Sequence, residues 1–497
     1  MTQRPQRALR ALLSPALLSP ALLSATLLTP AQSHAFGGLI AAAKGGTLSE
    51  VSAEVAIMGR DERAVMSLSV SYAGGAQGVA IVIPVPGDLE LAQVKTLPRQ
   101  LFDRLDLLSA PRVSEYWEQD PCYRAPRQET KSFEFGEAEV ELSAGKGSIA
   151  SLFQPQPGAS FLSGEYTLTL LSPDESSDPA AALSARGYAL PEGGAAALME
   201  ILNGTLKGER PRALLVAAVD PKRVKRDAKG VASLPPLRFE VSAARGLTLP
   251  VGPAPLSAPG GVRLTAYVIS PEGRHEPSSA PSAFVPSNLE VTPMPLADLS
   301  GLHARLVSET LALQGGRGAV TEYAWAAGTC DPCVTPALTA VELKTLGGDL
   351  LAEKADDLGA WVVTRLAARA EAGVVDDIAL RAVSPVSGGR GEAEDLTPAG
   401  AVEVTAENSF QSRYVMRHRW AKVSKCKEKR AGVWGGAPIK GGEVGAPPAP
   451  RALGGVGRAA PAGVLAERVR TPLQAYGVSG GEADAPKRGG AQVKKGR

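Results

Sequence analysis

The sequence predicts an α+β, β-rich protein, with antiparallel sheets, a few packed amphipathic helices and two to three adjoining domains. Three observations carry this. Runs rich in Val and Ile recur between Gly and Pro breaks, which is the pattern of short strands. Helical spacing is confined to a few segments. Alternating βαβ periodicity is missing, which argues against a doubly wound parallel sheet.

The first strand-like runs lie in residues 50–72, which contain "EVAIMGRDERAVMSLSVSY" with a polar turn at Gly59-Arg60-Asp61-Glu62. "GVAIVIPVP" (78–86) follows the Gly74-Gly75 break and has almost no polar residue. Together they read as a three-stranded antiparallel meander whose third strand is the most buried. "LPRQLFDRLDLLS" then sets Leu101, Phe102, Leu105 and Leu108 on one helical face, with Asp103, Arg104 and Asp106 elsewhere. That spacing predicts an amphipathic helix packed on the sheet, with Pro98 suited to its first turn.

"EYTLTLLS" (165–172) is the next strand. Asp178 as N-cap, Pro179 as first helical residue and Gly187 just past the end predict a short helix. A second helix spans about Ala195–Leu202, followed by strands in "ALLVAAVDP", "PLRFEVSA", "LTLPV" and "VRLTAYVIS". The Pro/Ser-rich stretch at 270–288 reads as a loop or domain edge. Beyond it come the strand "AVTEYAW", the helix "LTAVELKTLG", and a strand pair in "AWVVTRLAARA" and "DDIALRAV". Thr339 and Glu342 have capping-box spacing, which sets that helix start at Thr339. The expected units are 36–160, 161–295 and 296–435, flanked by a leader at 1–35 and a tail at 436–497.

The leader has Arg4, Arg7 and Arg10 ahead of a Leu/Ala-rich stretch that ends in Ser33-His34-Ala35. This is the order of a secretory signal peptide, with cleavage after Ala35. Pro15, Pro20 and Pro30 interrupt it too often for a spanning helix. The expected location is therefore exported, periplasmic or extracellular. In that compartment Cys122, Cys330, Cys333 and Cys426 favour disulfides, with three possible pairings among four cysteines.

"GTCDPC" (328–333) admits a redox centre, half a zinc site or a structural disulfide. A redox pair wants a thiolate at a helix N-terminus, and the nearest helix start is Thr339. Zinc wants a second ligand pair, whereas His275, His303 and His418 are isolated in sequence. A structural Cys330–Cys333 disulfide is the remaining reading, which leaves Cys122–Cys426 to tie the first unit to the end of the third.

The chain has a formal net charge of only +2, too balanced to argue for nucleic acid or a membrane surface. From Gly436 to Arg497, ten Lys/Arg against four Asp/Glu leave an excess of six in a Gly/Pro/Ala-rich segment. It reads as a disordered, basic tail whose only partner of evident chemistry would be anionic envelope polymers. No catalytic, cofactor-binding or metal-ligating residue is nominated by a recognisable motif. The nearest approach to an acid/base set is Glu115, Glu118 and Asp120 in "SEYWEQDPC". Function therefore divides between a non-catalytic envelope or surface binding or scaffold protein, using aromatics such as Tyr116, Trp117, Tyr323 and Trp325, and a secreted hydrolase whose carboxylates meet only in the fold.

The motifs "VIPVP", "VKTLPRQLFDRLDLLSAPRVSEYWEQDPC", "GEYTLTLLS", "PLRFEVSA", "VPSNLEV", "TEYAWAAGTCDPC" and "NSFQSRYVMRHRW" together resemble the secreted bacterial family known as domain of unknown function 2330, over about residues 45 to 435. The resemblance implies export and a recurring cysteine set, and supplies no activity. Where that pattern opens with Phe-Cys-Gly, this chain has Phe36 followed by Gly37.

Overall fold

The computed structural model describes residues 39–122, 165–252, 261–389 and 402–478, apart from 45, 75–77, 173, 204–211, 331–332, 334, 371–376, 423–424, 428–431, 438–447, 454–458, 462, 472 and 474–477. The expected signal peptide with its cleavage site at Ala35, and the tail beyond 478, lie outside the described residues.

A twelve-stranded sheet organises the body. Its order runs Val402–Val404, Val386–Gly388, Ser409–Gln411, Ala319–Ala326, Val362–Ala370, Val262–Ser270, Leu48–Arg60, Arg63–Gly74, Leu237–Ser242 and Lys95–Thr96. Ala232–Ser233 and Ser282–Phe284 add to it at the sides. Most neighbours are antiparallel, but Leu48–Arg60 and Val262–Ser270 run parallel. Strands from the spans 36–160, 161–295 and 296–435 thus interleave in one hydrogen-bonded sheet.

Side chains alternate across a strand, and here both faces are apolar. Val55, Ile57, Met66 and Leu68 join one core, whereas Ala56, Met58, Val65 and Tyr267 join another. The second core is closed by the helix Arg99–Ser109, whose Leu101, Phe102, Leu105 and Leu108 are buried as their spacing requires. Phe102 meets Tyr267 edge-on, with ring centroids 6.1 Å apart.

The expected meander is corrected. Leu48–Arg60 and Arg63–Gly74 form its hairpin, but Val79–Pro86 leaves for a separate five-stranded sheet, between Leu39–Ala43 and Arg212–Val219. Its first seven residues are all buried, so the run carries apolar surface for both faces and needs a partner equally apolar. "ALLVAAV" supplies that. The expected pair at 360–383 is also corrected, because Val362–Ala370 joins the twelve-stranded sheet while Ile378–Val383 pairs Thr248–Leu249 and Arg274–Pro277.

Helix termini follow local chemistry. Asp178 accepts the Ala181 N–H and caps Pro179–Ala185, and Thr339 and Glu342 cap each other at Ala340–Leu343. Gly318 holds φ at 101°, and a Cβ there would fall onto the Pro281 carbonyl oxygen. This close approach lets the Ala319 N–H reach Pro281 O at 3.3 Å. Gly318→Ala is expected to cost about 3 kcal/mol from backbone strain and steric displacement. A urea midpoint unchanged from wild type would refute it.

A smaller mixed sheet contains Leu289–Val291, Arg413–His418, Arg112–Glu118 and Trp434–Gly435, with Arg451–Ala452 also on Arg112–Glu118. Arg413–His418 lies between two parallel neighbours. Its Tyr414 and Met416 pack with Val113, Leu289 and Val291 against Leu299, Leu302 and Leu306 of the helix Leu296–Leu313. Leu453, Leu465, Leu473 and Val478 are buried in the same core. The expectation of a disordered tail from Gly436 is therefore corrected for its described parts. Its apolar residues are too widely spaced among Gly and Pro to look like a core, yet these four fill places in one built by distant elements.

Candidate functional site: the arginine–aromatic end of the mixed sheet

Glu115, Glu118 and Asp120 all lie on or just past the strand Arg112–Glu118. Pleating sends residues 115 and 117 to one face and 116 and 118 to the other, and the parallel register sets Trp117 beside His418 and Tyr116 beside Arg417.

On the first face, His418 Nε2 lies 3.0 Å from Glu115 Oε2, and the Arg451 guanidinium bonds the other carboxylate oxygen. Trp117 stacks on the His418 ring, with centroids 4.6 Å apart and 7° between planes. Burial pushes His418 below its usual pKa.

On the opposite face Glu290 receives three arginines. Arg417 Nη1 is 3.0 Å from it, Arg470 Nη1 3.2 Å and Arg419 Nη2 3.8 Å. Arg417 and Arg419 also sit 5.1 Å and 4.9 Å from the Trp434 ring centroid, within cation–π reach. Lys422 lies 5.7 Å from Trp420 in the same way. Glu118 accepts the Trp420 N–H at 3.0 Å and the Gly432 N–H at 3.1 Å, and the first of these holds its carboxyl below the usual range. Asp120 accepts the Cys122 N–H at 2.9 Å. The sulfurs of Cys122 and Cys426 stand at disulfide distance beside this end of the sheet, with Cα atoms 5.5 Å apart.

The other sequence-nominated aromatics belong to the twelve-stranded sheet. Tyr323 is fully buried and its hydroxyl has no partner among the described residues. Trp325 is half-buried against the second core, as is Cys330, whose sulfur is at disulfide distance from that of Cys333. Neither is placed to meet a large ligand.

A second polar cluster was not visible in the sequence. Tyr414 Oη lies 2.6 Å from His303 Nδ1, and His303 Nε2 lies 2.6 Å from Glu322 Oε1. Glu322 Oε2 accepts Arg365 Nε at 2.6 Å, and Arg365 Nη1 reaches Asp106 Oδ1 at 2.7 Å. Burial by itself raises the Glu322 carboxyl, but the Arg365 guanidinium and the His303 hydrogen bond outweigh it and hold the pKa at about 2. Tyr414 is wholly buried and Glu322 and Arg365 nearly so, and the chain of groups links the helices carrying His303 and Asp106 to the sheet strands.

A cleft of about 450 Å³ is lined by Lys44, Ser184, Tyr188, Leu190 and small apolar residues, without a carboxylate. A cavity of about 80 Å³ includes Asp61, Glu272 and His275. Glu115, Glu118 and Asp120 line neither. Among the described residues, no group of three or more His, Cys, Asp or Glu is arranged to hold a metal. No helix among them is long and apolar enough to cross a membrane.

What these features define is a strand-rich α+β protein with an arginine–aromatic cluster at one end of a mixed sheet. Its family follows from the chain itself: residues 30–381, well over half of it, match the model described as an uncharacterized protein conserved in bacteria, domain of unknown function 2330, and the chain belongs to that family. Neither a curated protein nor a solved structure matches it. The matched residues include Glu290 and the strand Arg112–Glu118; Arg417, Arg419, Trp434 and Arg470 lie beyond them.

Proposed function

We propose that this is an exported, non-catalytic binding or scaffold protein of the bacterial envelope or surface, with Cys122–Cys426 and Cys330–Cys333 closed as disulfides. The observation that carries the reading is the state of the carboxylates. A general acid or base needs an oxygen within reach of substrate. Glu115 is held by His418 and Arg451, Glu118 by two backbone N–H groups, and Asp120 by its own turn. The carboxylates that the rival hydrolase would have used are thus already engaged within the protein, which supports the binding reading. Export is supported by the Arg-led, Leu-rich leader and by two cysteine pairs at disulfide distance.

Protein isolated from its native bacterium is expected to begin at Phe36, and unreduced peptide maps should link Cys122 to Cys426. Because that link closes a loop of 304 residues, Cys122→Ser combined with Cys426→Ser should cost about 5 kcal/mol. Met1 on the exported form, or free thiols at all four positions, would overturn the export reading. A panel of polysaccharide, peptide and ester substrates should show no turnover. Turnover abolished by Glu118→Gln without a change in melting temperature would establish the hydrolase instead.

A further inference from the structure

We infer that the face carrying Arg417, Arg419, Arg470 and Trp434 binds a carboxylate-bearing polysaccharide. This deepens the binding-protein reading and rests on it.

The register comes first. Glu290 pairs with Val415, Tyr116 with Arg417, and Glu118 with Trp434, so Glu290, Arg417, Tyr116 and Trp434 project from one face across four strands. Charge comes second. Among the described residues, Arg417, Arg419 and Arg470 all converge on the one carboxylate of Glu290, a local excess of two (3 − 1). Glu118 spends its oxygens on backbone N–H groups, and the one charge of Glu290 is shared among three guanidiniums.

Exposure then separates an inner from an outer layer. Arg417 and Glu290 have side chains 15% and 12% exposed, whereas Arg419 and Arg470 are 55% and 42% exposed. The inner pair is a buttress. The outer two present guanidinium edges, Arg419 with its position fixed by Trp434. Such an edge matches a carboxylate bidentately, and little side-chain freedom remains to be lost.

Two arginines and a half-buried Tyr116 fit widely spaced carboxylates on a sugar chain. Duplex nucleic acid presents a charge every 1.7 Å or so and is held by proteins that neutralise about six to ten phosphates, more than the three arginines described on Glu290. The polymer is therefore an acidic glycan, with its uronate carboxylates on Arg419 and Arg470.

The test uses the full mature chain and titrates polygalacturonate, neutral dextran and duplex DNA in low salt. Polygalacturonate should bind, and Arg419→Gln with Arg470→Gln should weaken it by about tenfold or more, since two charge-assisted pairs are lost. The melting temperature should stay within a few degrees, because both side chains are exposed. Arg419→Lys should recover only part of the affinity, as the charge returns without the fork. No binding of polygalacturonate, equal binding by the double variant, or tighter binding of DNA would each overturn the inference. Dextran binding that survives the double variant would overturn it too, while leaving the binding-protein reading intact; turnover of any polymer would overturn that reading itself.

Discussion

Ending the chain at Arg381 is expected to abolish cooperative folding, although it keeps all the residues that match the family. The strand Arg413–His418 is one of two inner strands of the mixed sheet, so its loss separates Leu289–Val291 from Arg112–Glu118. Phe410, Tyr414, Val415, Met416, Leu453, Leu465 and Leu473 are all buried and would go with it. At roughly 1.5–3 kcal/mol per buried apolar side chain, these seven represent roughly 10–20 kcal/mol. Whole domains are stable by only about 5–15 kcal/mol. The truncated chain should therefore lose its near-UV circular dichroism and its sharp thermal transition. A cooperative melt within a few degrees of the full chain would show that the segment from 382 onward is an appendage.

The same segment shows where sequence reading stopped. Local signals were legible: Leu101, Phe102, Leu105 and Leu108 repeat at helical spacing, Asp178-Pro179 announces a helix start, and Thr339 and Glu342 form a capping box. In each case every interacting residue lies within a few positions. The helix Leu296–Leu313 was overlooked, although Leu299, Leu302 and Leu306 carry its period, because Ser300 and Gly301 sit among them and the Pro-rich stretch just before it reads as a loop. Sheet partners were not legible. "VAIVIPVP" shows that it is buried but not against what, since an all-apolar run fits either face of any apolar sheet. The parallel pairing of Leu48–Arg60 with Val262–Ser270 joins residues some two hundred positions apart.

The site was hidden for a related reason. Glu115, Glu118 and Asp120 look like a cluster in "SEYWEQDPC", but Glu115 and Glu118 fall on opposite faces of one strand. Their partners His418, Trp420, Gly432 and Arg451 come from more than 300 positions away. In "RYVMRHRW", Arg417 and Arg419 two apart were a usable sign of one basic face. Nothing local linked them to Glu290 or Trp434.

Glu322→Gln should destabilise the protein by about 3 kcal/mol at neutral pH, because it leaves a buried guanidinium short of a counter-charge. Glu322 is 3% exposed and accepts from both His303 and Arg365, so water cannot replace the lost carboxylate. Asp106 would remain as the described anion on Arg365, and its more exposed side chain can compensate only in part. The pH dependence separates this from a packing defect. The Glu322 carboxyl titrates at about 2 in the folded chain against an ordinary 4.5, so the folded pKa is depressed. Its contribution is fully present above the unfolded value near 4.5 and is lost as pH falls from there toward 2. Urea midpoints of wild type and variant, measured side by side, should be widely separated at pH 7 and should converge as pH falls from 4.5 toward 2. Other carboxylates titrate in both proteins and cancel in the difference. A gap that stays constant across that window, or one below about 1 kcal/mol at pH 7, would mean that the Glu322–Arg365 pair contributes no more than an exposed ion pair does.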